Sequence, residues 1–113
     1  MPYVLDIEEW VNITTVPTNK VISQINEFIT LVEKVTGKRI MIYTNESSYN
    51  KYVKGNYDKN DIWICSFSKK QTISKQWTFW QHSHNVKFDC ATGWIDINTF
   101  NGNRSEWNKY LSR

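Results

Sequence analysis

The chain has 113 residues, a net charge of +3 and an aromatic content of 15%, as expected for one small domain with a single core. Its lysines are scattered, with Lys69-Lys70 as the longest basic run, so a nucleic-acid interface is not expected. No apolar run reaches the roughly 18 residues of a membrane span, and no basic region with an apolar stretch after it opens the sequence. Neither a membrane helix nor a signal peptide is predicted.

The first predicted element is a strand at residues 3–8, with the sequence YVLDIE. Residues two apart on a strand point to the same face, so Asp6 and Glu8 share one side, with Cα atoms about 6.6 Å apart at about 3.3 Å per residue. Each negative charge raises the cost of ionising the other, which can keep one carboxyl group protonated as a general acid beside an anionic partner. The alternative is an ordinary strand end whose acidic side chains meet solvent.

An amphipathic helix is predicted next, because apolar residues recur at helical spacing: Val21, Ile22, Ile25, Phe28, Ile29, Val32 and Val35. Thr18 is placed to cap its start and Gly37 to end it. Residues 39–44 are apolar and rich in β-branched side chains, as expected for a strand buried on both faces. Strand, helix and strand in this order predict a βαβ unit.

Five further elements are predicted after this unit. A short helix covers residues 47–53 and turns three apolar side chains inward, namely Tyr49, Tyr52 and Val53. Three strands follow, at residues 61–67, 77–82 and 94–98. A terminal helix at residues 104–111 is expected to bury Trp107, Tyr110 and Leu111. No repeat or linker divides residues 1–113, so one domain is expected.

Each predicted strand ends in polar side chains, in chain order Asp6 and Glu8, Tyr43 and Thr44, Ser66 and Ser68, Gln81 and His82, and Asp96 and Asn98. In α/β proteins, sites form at the carboxyl ends of parallel strands, so the five strands are expected to converge these groups on one rim. His82 and His84 share a face if their strand continues, but a third ligand is not evident and no metal site is predicted.

The two cysteines, Cys65 and Cys90, are too few for a disulfide framework. Buried free thiols are the default expectation, and a single bridge is the alternative for an exported protein.

Five segments occur in a recognisable order: LDIE, MIYT after a helix that ends in TGK, IWICSFS, WTFWQHS and GWIDINTFNG. From Pro2 to about Trp107 they resemble family 25 glycoside hydrolases, the Chalaropsis-type lysozymes. The resemblance implies a TIM-like β/α barrel and a muramidase that cleaves the β-1,4 bond between N-acetylmuramic acid and N-acetylglucosamine in peptidoglycan. It implies a bacteriolytic, extracellular or cell-wall-directed role in a bacterium or its phage, and chemistry that needs no metal or organic cofactor.

The resemblance also implies roles for individual residues. Glu8 maps to the general acid, and Asp6 maps to the partnering carboxylate, which either attacks directly or orients the substrate's own acetamido group. Asp96 maps to a late acidic residue of the last strand, with a cap of the closing turn as the alternative. The positions that line the sugar groove map to Tyr43, Trp63, Trp80 and Gln81, although the same aromatics equally suit a core.

The chain departs from the family in length, because an ordinary eight-stranded barrel needs about 200 to 250 residues. An early Asp of the family also has no match here. The expected fold is therefore α/β, as the carboxy-terminal half of a TIM-like barrel. Its first strand would be an apolar edge, so self-association or a missing amino-terminal half is expected to complete it. The alternative function is a non-catalytic remnant that binds glycan or a partner protein.

Overall fold

The computed structural model describes residues 2–9, 15–68 and 73–113. The strands are β1 (Val4–Ile7), β2 (Met41–Asn45), β3 (Ile62–Cys65), β4 (Phe79–Val86) and β5 (Ile95–Phe100). The helices are α1 (Thr18–Thr36), α2 (Glu46–Ser48) and α3 (Arg104–Leu111), with a π-helical turn at Tyr49–Val53 directly after α2. The predicted α/β class and order of elements are confirmed. Within these residues, no helix is both long and apolar enough to cross a membrane.

The described residues form one five-stranded sheet in the order β1-β2-β3-β4-β5. β1 to β4 run parallel, which confirms the predicted βαβ unit around α1, whereas β5 runs antiparallel to β4. The prediction that all five carboxyl ends meet on one rim is therefore wrong for β5. Residues 87–94 turn the chain back beside β4, so the amino end of β5 lies at that rim instead.

The hydrophobic core lies between one face of the sheet and the layer formed by α1 and the π-helical turn. Ile42, Ile62 and Ile64 reach it from β2 and β3 and are fully buried. The π-helical turn buries the three side chains that were predicted to point inward, Tyr49, Tyr52 and Val53. Each fully buried isoleucine contributes about 1.5–3 kcal/mol, so this layer holds the central strands in place.

The predicted end of α1 is confirmed, but its predicted start is wrong. Gly37 takes the left-handed conformation (φ 66°) and its N–H donates to the carbonyl of Glu33. At the other end, the carbonyl of Pro17 accepts from the N–H groups of Lys20 and Val21. Thr18 is therefore already inside the helix, where its backbone lacks the extended conformation that a capping side chain needs.

The last elements form a strand pair with α3 packed against it. β4 and β5 extend further than predicted because their antiparallel pairing runs from Phe79 and Phe100 to Val86 and Ile95. The bounds of α3 are as predicted, but its burial is not: Leu111 is 58% exposed. The helix contacts the sheet mainly through aromatic rings, with Trp107 and Tyr110 against Phe79 and Phe100, and this edge contact leaves the rest of α3 in solvent.

The two cysteines differ in their surroundings. Cys65 is buried in β3, as predicted, whereas Cys90 is exposed because it lies in the surface connection between β4 and β5. In the described structure both thiols are free.

Candidate active site

The first strand presents its carboxylates on the face of the sheet opposite the core, which we call the open face. Asp6 pairs with Tyr43, and Tyr43 pairs with Trp63, so these three side chains share that face. Ile7, the next residue, is buried on the core side. Glu8 follows, and its charge acts on Tyr43 together with that of Asp6. The two carboxylates therefore lie on the same side of the sheet, next to an aromatic pair.

A second row of side chains lies one step nearer the rim of the open face. Cys65 pairs with Gln81, and Gln81 pairs with Asn98. The Tyr43 hydroxyl donates to Gln81 Oε1 at 2.6 Å, and Trp63 Nε1 donates to Asn98 Oδ1 at 2.8 Å. These two hydrogen bonds fix both aromatic rings, whose centroids are 5.0 Å apart in an edge-to-face contact.

The charges of three carboxylates act on the Cys65 thiol of this second row. Burial raises the pKa of the Cys65 thiol, a hydrogen bond with Tyr43 opposes that shift, and the charges of Glu8, Asp96 and Asp6 add to it. The thiol is therefore held in its neutral form and is a poor nucleophile. Asp96 itself is exposed at the start of β5, yet its charge reaches the same thiol as the charges of Asp6 and Glu8. The structure thus brings all three predicted acidic residues to one neighbourhood.

The hydroxyl of Tyr43 is also held in its neutral form. Burial raises the pKa of Tyr43 well above its usual range, with further contributions from Cys65 and from the charges of Glu8 and Asp6. The phenol therefore stays a hydrogen-bond donor at neutral pH. This matches its hydrogen bond to the side-chain oxygen Oε1 of Gln81.

Burial raises the pKa of Asp6 above the ordinary value of 3.8. Asp6 is the carboxylate that the resemblance implies to be anionic, so burial penalises the charged form that this role requires. The side chain keeps contact with solvent, which limits the penalty.

Glu9 was not predicted from the sequence, although it anchors the end of β1. Its carboxylate accepts from Tyr52 Oη at 2.5 Å and from Lys51 Nζ at 2.8 Å. The hydrogen bond from Lys51, followed by that from Tyr52, lowers the pKa of Glu9. Both partners lie more than 40 residues further along the chain, so no local pattern could have shown the contact.

Trp80 is not part of the open face. It pairs with buried Ile64, packs against the core, and donates from Nε1 to the carbonyl of Ser66 at 2.7 Å. The expectation that Trp80 lines the sugar groove with Tyr43 and Trp63 is therefore wrong. Side chains alternate along β4, so Trp80 and its neighbour Gln81 point to opposite faces.

The two histidines of β4 do not converge on a common point. His82 Nε2 contacts Thr99 Oγ1 at 3.1 Å, whereas the ring of His84 packs against Phe67. In residues 2–9, 15–68 and 73–113, no three His, Cys, Asp or Glu side chains are grouped so that they could hold a metal ion.

The model of the glycosyl hydrolases family 25 matches residues 1–90 of this sequence. The chain belongs to that family. Asp6, Glu8, Tyr43, Trp63 and Gln81 all lie inside the matched range of this family 25 chain.

Solved structures share its fold. A family 25 glycosyl hydrolase from Bacillus anthracis is 32% identical and superposes with a TM-score of 0.84 over 96% of this chain and 54% of its own. A bacterial lysozyme from Streptomyces coelicolor is 27% identical, with a TM-score of 0.77 over 91% of this chain and 52% of its own. The chain therefore corresponds to about half of each of these solved structures.

A curated relative shows the same partial coverage. The uncharacterized protein YegX of Escherichia coli is 30% identical over 97% of this chain and 40% of its own length. The family 25 chain thus spans well under two thirds of the length of this relative and of the two solved structures.

Proposed function

We propose that this chain carries the carboxylate side of a peptidoglycan-hydrolysing site and cleaves the β-1,4 bond between N-acetylmuramic acid and N-acetylglucosamine. The observation that supports this best is the shared face of Asp6, Tyr43 and Trp63, with Glu8 on the same side. Aromatic rings pack on the apolar faces of sugars, and a pair of carboxyl groups is the usual means of cleaving a glycosidic bond. Membership of family 25 supports the same substrate class.

In this proposal Glu8 is the general acid. It donates its proton to the glycosidic oxygen while the bond from that oxygen to the anomeric carbon breaks, so the leaving sugar departs as a neutral alcohol. Asp6 faces the positive charge that develops on the sugar ring. It either attacks the anomeric carbon directly or orients the acetamido group of the substrate to do so. Water then breaks the new bond at the anomeric carbon, and Glu8 takes the proton of that water.

The remaining residues of the open face bind and orient the glycan. Tyr43 and Trp63 offer two fixed rings, of which part remains exposed to solvent. Gln81 holds the Tyr43 hydroxyl, and Asp96 adds a third negative charge near the site. Negative charge beside the sugar stabilises an oxocarbenium-like transition state. Such a substrate places the proposed activity at the bacterial cell wall.

The proposal is tested by the release of reducing sugar from purified peptidoglycan, with the parent chain and Glu8→Gln side by side. Loss of a general acid lowers turnover by about 10²–10⁴-fold, so this fall is the expected result. Glu27→Gln is the matched control, because it makes the same chemical change at an exposed position of α1. Equal turnover by the parent and Glu8→Gln would contradict the proposed role of Glu8.

A second candidate function is glycan binding without catalysis. The chain corresponds to 54% of the Bacillus anthracis enzyme, and Asp6 and Asn98 of the open face are exposed to solvent. A site without one wall holds a sugar too loosely for reaction, although the aromatic rings can still bind it. Under this alternative, Glu8→Gln leaves co-sedimentation with peptidoglycan unchanged and neither chain shows turnover.

A further inference from the structure

We propose that Thr44 and Ser48 are positioning residues that hold the general acid Glu8 from both sides. Thr44 Oγ1 donates to the carbonyl of Ile7 at 2.7 Å, and the N–H of Glu9 donates to Ser48 Oγ at 2.8 Å. These two backbone groups belong to the peptide units immediately before and after the Cα atom of Glu8. The inference rests on the role of Glu8 proposed above.

Both hydroxyl groups are shielded from water. Thr44 is 0% exposed and Ser48 is 1% exposed, so water does not compete for either hydrogen bond. Thr44 lies directly opposite Ile7 in the pairing of β1 with β2. This pairing places its hydroxyl beside the Ile7 carbonyl.

The position of Ser48 is itself fixed. Its backbone N–H donates to Asn45 Oδ1 at 2.8 Å, which caps the start of α2. The short segment from Thr44 to Ser48 thus supplies both hydroxyls and the cap that orients the second one. Because this segment begins within β2 and continues directly into α2, the register of β1 against β2 also sets the position of Glu8.

A third contact ties the chain after Glu8 to the core layer. The carboxylate of Glu9 is held by Tyr52 and Lys51 of the π-helical turn, on the opposite side of the sheet. The backbone on each side of Glu8 is therefore tied to elements of the core layer. Such restraint holds a reacting group in its productive geometry before the substrate arrives.

The test uses variants that separate the hydroxyl group from the shape of the side chain. Thr44→Val removes the hydroxyl and keeps the volume, Thr44→Ser keeps the hydroxyl, and Ser48→Ala removes the second hydroxyl. Misplacement of a catalytic group by about 1 Å can cost about 10²-fold, so we expect kcat to fall by up to this factor in Thr44→Val and Ser48→Ala. KM should change little, because Tyr43 and Trp63 are untouched. Thr44→Ser should keep most of the parent kcat.

Two controls separate positioning from a general loss of stability. Ile62→Val disturbs the core without touching either hydroxyl, so its turnover per folded molecule should equal that of the parent chain. In the double variant with Thr44→Val and Ser48→Ala, the fall in kcat should be smaller than the product of the two single effects, since both hydroxyls act on one residue. Unchanged kcat in both single variants, measured per folded molecule, would overturn the proposal.

A readout that does not depend on turnover distinguishes this inference from the proposed function. The carboxyl titration of Glu8 and the amide exchange of Glu9 are both measurable by NMR. A shifted Glu8 midpoint in Thr44→Val but not in Thr44→Ser, with faster Glu9 exchange in Ser48→Ala, supports the inference even if the parent chain has no turnover. Parent-like values in both Thr44→Val and Ser48→Ala would overturn it, whatever the outcome for Glu8→Gln.

Discussion

The charge state of Asp6 links the proposed site to the stability of the chain. Burial raises its pKa above 3.8, so folding favours the protonated carboxyl group. This contribution to the free energy of unfolding is complete below pH 3.8 and is lost as the pH rises through the raised folded-state value. We expect Asp6→Asn to be slightly more stable than the parent at neutral pH. The excess should shrink as the pH falls through the raised folded-state pKa of Asp6 and disappear below pH 3.8, as urea unfolding at a series of pH values would show.

The effect on stability is small, because the Asp6 side chain is exposed and solvent screens its charge. Asp89→Asn is the matched control, since it makes the same chemical change at an exposed position in the connection between β4 and β5. Asp89→Asn should not reproduce the gain in stability that is expected for Asp6→Asn at neutral pH. The expectation for Asp6 is contradicted if Asp6→Asn is less stable than the parent at neutral pH.

Individual residues of the site were predictable where alternation along one strand decides their direction. That rule places Asp6 and Glu8 together, and it also separates Trp80 from Gln81, which a shared motif had grouped. The same rule places Cys65 on the face of Trp63, because the two residues are two apart on β3. That the charges of three carboxylates act on Cys65 depends on neighbouring strands. Pairing between distant strands, as in the row from Asp6 to Trp63, is not encoded in any local pattern.

At the scale of the elements, the end of α1 depends on Gly37, and replacing this glycine is expected to lower the free energy of unfolding. Gly37 has a φ of 66° and nothing lies within 4 Å of the Cβ that a substitution would add. Gly37→Ala therefore meets only the backbone penalty of the left-handed conformation, about 1–2 kcal/mol. Urea unfolding at a fixed protein concentration should show this loss of stability.

Gly93 provides the control for this experiment. It also has nothing within 4 Å of an added Cβ, but its φ lies outside the left-handed region. Gly93→Ala should therefore change stability by less than about 0.5 kcal/mol, as is usual for a surface substitution. Equal losses in the two variants would show that the conformation of Gly37 is not what ends α1.

The existence and order of the elements were predictable, but the direction of β5 was not. Periodicity identifies a strand without stating which way it runs in the sheet. The predicted strands 77–82 and 94–98 leave only residues 83–93 between them, short for a parallel crossover, which needs about a dozen residues or more, and this length was the available signal. The antiparallel return brings Asn98 beside Gln81 and so allows its contact with Trp63.

At the scale of the whole molecule, the sheet has an apolar edge at β1, and apolar side chains of α1 remain exposed to solvent. In the described residues no strand pairs with the outer side of β1. A groove of about 450 Å³ runs along this edge between β1 and α1, lined in part by Leu5, Ile25 and Phe28. Further along α1, Val35 is 76% exposed. Exposed edges and apolar grooves of this kind favour pairing with another chain or with a further segment.

We therefore expect this 113-residue chain to self-associate through β1 at micromolar concentration. Val4 is 44% exposed on β1, and Val4→Lys places a charge on the edge strand, a substitution that natural proteins use to prevent such pairing. Light scattering should show oligomers for the parent and a larger monomer fraction for Val4→Lys. Thr92→Lys adds the same charge at an exposed position away from β1 and should behave like the parent. A monodisperse parent monomer would contradict pairing at this edge. Equal dissociation by Val4→Lys and Thr92→Lys would show that net charge decides the association, because edge pairing depends on where the charge is placed.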